Sequence, residues 1–224
     1  MSTVEQLALE FEHLPALSCE DFLVTSGNAE AVAWIDRWPD WPSPALAIFG
    51  PAGCGKSHLV EVFKALAGAT AVTATDLEAK VLPLAGTLVF EDADRTLTSD
   101  REAPLLHLYN ALAEAGGRLL VTGRTAPSHW PIRLADLASR LNVAPAVEIG
   151  APDDELIAVV LVKLFADRQL RIEPDVVTYA VPRMERSFDA ARRLVAVADS
   201  LALAEGRRIT VPLVKQVLER LDES

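Results

Sequence analysis

The sequence predicts an α/β protein, a five-stranded parallel sheet covered by helices and followed by a small helical domain. Three observations predict it. Residues 45–59 run from an apolar segment of strand length, through a glycine-rich turn, into a helical pattern. Further apolar strands alternate with helical segments as far as Ile149, as expected of a parallel sheet buried on both faces. From Pro152 onward the pattern is helical alone.

Taken in order, residues 1–14 form a tail outside the core. Gln6 is followed by apolar side chains at Leu7, Leu9 and Phe11, which share one face of an extended segment. Such a peptide suits an apolar pocket on a partner, and equally a first strand or helix packed on the domain. Asp21-Phe22-Leu23-Val24 reads as an extended connection. Ser26-Gly27-Asn28 reads as a turn and cap before a helix from Ala29 to Trp38, stopped by Pro39. Trp34, Trp38 and Trp41 have the spacing of residues packed against a core.

Ala45 to Phe49 is the first sheet strand, and the helix after the turn ends at Gly68. Thr70 to Thr73 is a short strand, and Asp76 caps a short helix reaching Leu82. Gly86 to Asp92 is an apolar strand ending in two acids. A helix from Ala103 to Ala115 stops at Gly116-Gly117. Arg118 to Gly123 and Val147 to Ile149 complete the sheet. In the C-terminal third, Asp153 and Asp154 cap a helix reaching Arg168. Pro174 opens a second helix. Ser187 starts a third, closed by Gly206, and Thr210 a fourth after a short extended piece at Ile209. The expected division is a tail at 1–14, an α/β core at 15–151 and a helical domain at 152–224.

The formal net charge is −11. Affinity for phosphate backbones needs clustered Lys and Arg, so direct nucleic-acid binding is not expected. No window reaches the roughly 18 uncharged apolar residues of a membrane span, and the N-terminus lacks a signal pattern, which points to the cytoplasm. Cys19 and Cys54 form no CxxC, and His13, His58, His107 and His129 have no ligand spacing, so neither a disulfide framework nor a zinc site is expected.

The chemistry concentrates at Gly50-Pro51-Ala52-Gly53-Cys54-Gly55-Lys56-Ser57, which reads G-x-x-x-x-G-K-S, the phosphate-binding loop of nucleotide hydrolases. Glycines allow the backbone to curl so that several N–H groups surround one anion. The following helix points its positive end at the same place. Lys56 reaches the outer phosphates and Ser57 offers a hydroxyl to Mg²⁺. Glu91 and Asp92, at the C-terminal edge of a strand, are the acids for the magnesium shell and for orienting water. Thr122, ending the next strand, either reaches the terminal phosphate or attacking water, or is an ordinary strand-ending residue. Ser139-Arg140 falls in a loop before the last strand. Arg140 is there either a surface residue or an arginine finger acting on a neighbouring molecule's nucleotide.

Together these motifs resemble the AAA+ ATPases, and within them the Hda/DnaA-related branch, over nearly the whole chain. Phe22, Leu23 and Val24 are similar to the N-terminal box whose apolar residues touch adenine. Gly55-Lys56-Ser57-His58-Leu59 matches the initiator-type loop, adding His58 to the nucleotide-binding set. Leu88 to Asp92 falls at Walker B, Thr122 at sensor 1, Ser139-Arg140 at the arginine-finger pair, and 206–217 at the end of the lid. Gln6-Leu7-x-Leu9-x-Phe11 is similar to the peptide that docks bacterial proteins on the sliding clamp of DNA polymerase III. The resemblance implies a regulator of replication initiation with three partners or cofactors: adenine nucleotide (ADP or ATP) with Mg²⁺, the clamp, and the AAA+ domain of DnaA. Arg140 would act in trans on the ATP of DnaA. It also allows a homo-oligomer. Two departures weaken the chain's own hydrolysis and favour ADP. Glu91 replaces the usual Walker B Asp. Asp189 stands where the lid's sensor 2 Arg falls, leaving Arg186, Arg192 or Arg193 as substitutes. The rival expectation is an autonomous AAA+ ATPase or DnaA-like loader.

Overall fold

The computed structural model describes residues 23–79 and 82–222. The clamp-type residues Gln6, Leu7, Leu9 and Phe11, together with Phe22, lie outside the described residues.

Helix α1 (Ala29–Asp36) precedes strand β1 (Ala45–Phe49), which runs through the loop into α2 (Lys56–Ala67). Then come β2 (Thr70–Ala71), α3 (Ala74–Ala79), β3 (Thr87–Phe90), α4 (Ala93–Thr96), α5 (Ser99–Ala115) and β4 (Arg118–Gly123). Helix α6 (Ala135–Val143) and β5 (Ala146–Glu148) close the core. The lid is α7 (Asp154–Asp167), α8 (Pro174–Ala180), α9 (Phe188–Glu205) and α10 (Val211–Asp222).

The five strands are parallel and lie in the order β2-β3-β4-β1-β5. Alternation along β1 divides the core between two faces. Ala45 and Ala47 join Leu88, Phe90, Leu119 and Val121 under α5 and α6, against Leu105, Leu108, Leu112, Leu137 and Leu141. Leu46 and Ile48 face α1 and α2, against Ile35, Leu59 and Phe63. Trp41 stacks on Phe63 with ring centroids 5.5 Å apart, and Trp38 meets the same ring edge-on at 6.4 Å. The lid has a separate core built from Ile157, Leu161, Leu194, Val195, Leu213 and Val217. As expected, Asp153 and Ser187 cap α7 and α9, accepting from Leu156 N and Ala190 N, and Gly68, Gly116 and Gly206 close their helices with positive φ.

Several elements differ from the sequence reading. Asp76 is not a cap. Thr73 precedes α3, and its hydroxyl accepts from Asp76 N while Asp76 accepts from Thr73 N, a reciprocal capping box. Helix α5 begins at Ser99, four residues before the expected Ala103, and so holds Pro104 in its interior. Tertiary anchors outweigh the lost helical bond: Arg101 binds Glu78 of α3 and the Thr96 carbonyl, and Glu102 binds amides before α6. Ser139 and Arg140 lie within α6, not in a loop. Ile209 is buried but belongs to no described strand.

Candidate nucleotide site

The loop after β1 carries two glycines with left-handed backbone, Gly53 at φ 70° and Gly55 at φ 104°. Each is needed for a second reason, namely the approach of the lid. A Cβ on Gly53 would lie 2.6 Å from Ser187 Cβ, and one on Gly55 would lie 2.9 Å from the Phe188 ring. Phe188 N donates to the Gly53 carbonyl at 2.9 Å. The start of α9 is therefore seated directly on the loop.

Lys56 is nearly buried and turns back on the loop, its Nζ donating to the Gly50 and Pro51 carbonyls at 2.8 Å each. Ser57 Oγ donates to Glu91 Oε2 at 2.8 Å, so the hydroxyl and the acid expected around a metal share one corner. Asp92 lines the adjoining cavity and adopts a left-handed backbone with φ 51°. Its amide donates to Thr122 Oγ1 at 3.1 Å. Thr122 itself is 1% exposed. It therefore touches the cavity through Asp92, by tying the ends of β3 and β4 together.

The cavity, about 280 Å³, is walled by Ala52, Gly53, Gly55, Lys56, Ser57, His58 and Asp92 from the core, by Arg95 and Arg124, and by Phe188, Asp189 and Arg192 from the lid. Arg192 lies 3.0 Å from Asp189. Arg186 is instead paired with Asp154 and Arg193 with Glu185, so Arg192 is the lid arginine at the cavity. A second cavity, about 170 Å³ and more apolar, lies on the other side of the loop. Leu23, Asn28 and Cys54 face Leu156, Val160 and Leu164 of α7 and Phe188 across it. Asn28 pins this edge, accepting from Thr25 N at 2.8 Å and donating to the Leu23 carbonyl at 2.9 Å. Val24 is packed beside the α1–α2 core instead. Apolar side chains on facing walls, with Asn28, His58 and Arg192 at the edge, give this second cavity the mixed lining of a small-molecule site.

Electrostatics differ along the site. Burial pushes the Cys54 thiol up, with the nearby Lys56 charge acting against it. Burial, and then the Arg192 charge, hold the His58 imidazole below its ordinary value. Arg140 is exposed in the last turn of α6, with its guanidinium 5.5 Å from the centroid of the Tyr109 ring, and it does not line the loop cavity. The structure thus brings Lys56, Ser57, Glu91 and Asp92 together and leaves Arg140 apart from them. Sequence reasoning missed Arg95, Arg124, Leu156, Val160 and Phe188. No motif marks them, because they converge from four separate elements.

Residues 153–218 match the family model described as the lid domain of Hda. The C-terminal helical domain is thus similar to the lid of Hda. The α/β core and helical lid superpose on domain III of the Thermotoga maritima replication initiation protein DnaA with a TM-score of 0.78, at 16% identity over 90% of this chain and 95% of that one, a likeness of fold. AMPPCP-bound DnaA from Aquifex aeolicus gives a TM-score of 0.70 at 15% identity, covering 91% of this chain and 69% of that one. In sequence, the chain is 24% identical to an uncharacterized protein of Haemophilus influenzae, over 96% of this chain and 98% of the relative.

Proposed function

We propose that this AAA+ protein is an Hda-like regulator of replication initiation, working in the cytoplasm, which promotes hydrolysis of the ATP bound to DnaA. The observation that carries the reading is the position of Arg140. It is exposed on the core, backed by Tyr109, and it is not among the residues that line the cavity at the chain's own glycine-rich loop. A guanidinium so placed serves another molecule's nucleotide, where it offsets charge developing on the transferred phosphoryl group. The match of the lid to Hda supports DnaA as that other molecule.

The chain's own site would hold an adenine nucleotide across the loop. The base would lie between Leu23, Asn28 and α7, and the phosphates on the amides of 50–57 and the start of α2. Lys56 would exchange its two loop carbonyls for phosphate oxygens. Ser57 and Glu91 fit Mg²⁺, since their oxygens already meet at 2.8 Å. The metal would there neutralise phosphate charge. Through Phe188 and Arg192 the bound nucleotide would set the angle between lid and core. The peptide Gln6-Leu7-x-Leu9-x-Phe11 would hold the protein on the DNA-loaded sliding clamp.

The test is an assay of DnaA-bound ATP hydrolysis with and without clamp-loaded DNA. The wild-type chain should stimulate it, and Arg140→Ala should lose on the order of 10³-fold or more of that stimulation while still binding the clamp. Equal stimulation by Arg140→Ala would sink the assignment. The Ser57–Glu91 corner beside Asp92 favours a second reading, an autonomous ATPase, which requires appreciable ATP turnover by the isolated protein.

A further inference from the structure

Two cations of the cavity remain unused by that reading. Arg95 follows β3 on α4, and Arg124 follows β4. Both line the loop cavity and both are exposed. Among the described residues neither guanidinium has a hydrogen bond or ion pair, whereas Arg192 faces Asp189 and Lys56 is bonded to loop carbonyls.

Their neighbourhood is built. Arg124 N donates to Asp94 Oδ2 at 3.0 Å, and Asp92 N donates to Thr122 Oγ1 at 3.1 Å. These two bonds stitch the exits of β3 and β4 together, and both arginines, one after each strand, line the cavity beside those exits.

The sheet order says where a bound anion falls. The apolar cavity lies on the β5 side, since Gly150 N, just past β5, donates to the Gly27 carbonyl beside Asn28. The loop follows β1, at the middle of the order. Arg95 and Arg124 follow β3 and β4, on the opposite side. A nucleotide whose base enters the apolar cavity therefore runs its phosphates toward these arginines, and the last phosphate arrives nearest them.

We propose that Arg95 and Arg124 form a subsite for the terminal phosphate of a nucleoside triphosphate, and so make this chain itself discriminate triphosphate from diphosphate. The proposal rests on the nucleotide-binding reading above. Guanidinium forks bind phosphate oxygens in pairs, and the acid on the lid side of the cavity, Asp189, is itself paired with Arg192.

Titration calorimetry of the full chain with ADP and with the non-hydrolysable triphosphate AMPPCP tests it. The double variant Arg95→Gln, Arg124→Gln should weaken AMPPCP binding by roughly tenfold to a hundredfold. ADP binding should change by less than about threefold, because a diphosphate stops short of the pair. An equal loss for both ligands, or no loss for either, overturns the subsite while leaving nucleotide binding intact. A wild-type chain that binds neither ligand overturns the nucleotide reading and the subsite with it. A loss of DnaA stimulation with both affinities unchanged assigns the arginines to a protein contact instead.

Discussion

The Glu102 carboxylate of α5, 4% exposed, accepts the Leu134 N–H at 2.7 Å and the Arg133 N–H at 3.1 Å, at the entry to α6. Further along α5, Tyr109 lies under Arg140, near the other end of α6. Tyr109 is in turn anchored, its hydroxyl 3.5 Å from Ser43 Oγ beside β1. One helix thus fixes both ends of the helix that presents Arg140. Removing the buried acid leaves two partly buried amides without their acceptor. Glu102→Ala should cost about 2–4 kcal/mol, measured by urea unfolding of the full chain. Glu102→Gln, which keeps one acceptor oxygen, should recover part of that. An unfolding midpoint unchanged in Glu102→Ala would refute the role.

The loop glycines carry a second expectation. Gly55→Ala introduces both a strained backbone at φ 104° and a contact 2.9 Å from the Phe188 ring. The expected loss is about 1–3 kcal/mol, accompanied by faster proteolysis of the connection between β5 and α7 as the lid lifts. Adding Phe188→Ala should relieve the clash but not the backbone strain, so stability should not return to that of Phe188→Ala alone. A Gly55→Ala protein with wild-type lid protection would show that the lid does not depend on this contact.

His58 gives a pH dependence of known sign. Its folded pKa is depressed by burial and by Arg192. Above the unfolded value, about 6.5, the imidazole is neutral in both states. As pH falls, the unfolded chain takes up the proton first, so stability drops until pH passes the folded pKa. The stability of the wild type relative to His58→Gln should therefore decrease between about pH 7.5 and pH 5.5, as followed by urea unfolding at each pH. A constant difference would contradict the depressed pKa.

Most of the sheet and lid was legible because their signals are local. Apolar runs of strand length, Gly68, Gly116 and Gly206 at helix ends, and Asp153 and Ser187 at helix starts each act within a few residues of themselves. The start of α5 was not legible. Pro104 is a local signal, and it is overruled by Arg101 and Glu102, whose partners lie on α3 and before α6. Helix α6 was placed in part as a loop for a similar reason, since its short apolar face, Leu137 and Leu141, takes its meaning from the core it covers.

The sequence by itself determined the fold class, the glycine-rich loop after β1 and the two acids at the end of β3, since a strand, a tight glycine turn and a helix in succession leave few other arrangements. Tertiary structure alone decided the rest of the site. It chose Arg192 over Arg186 and Arg193 by pairing those two elsewhere. It turned Thr122 inward onto Asp92, and it gathered Arg95 and Arg124 at one wall. The physical reason is that side-chain charge acts through space: which arginine meets an anion depends on how strand ends converge, and spacing along the chain does not record that.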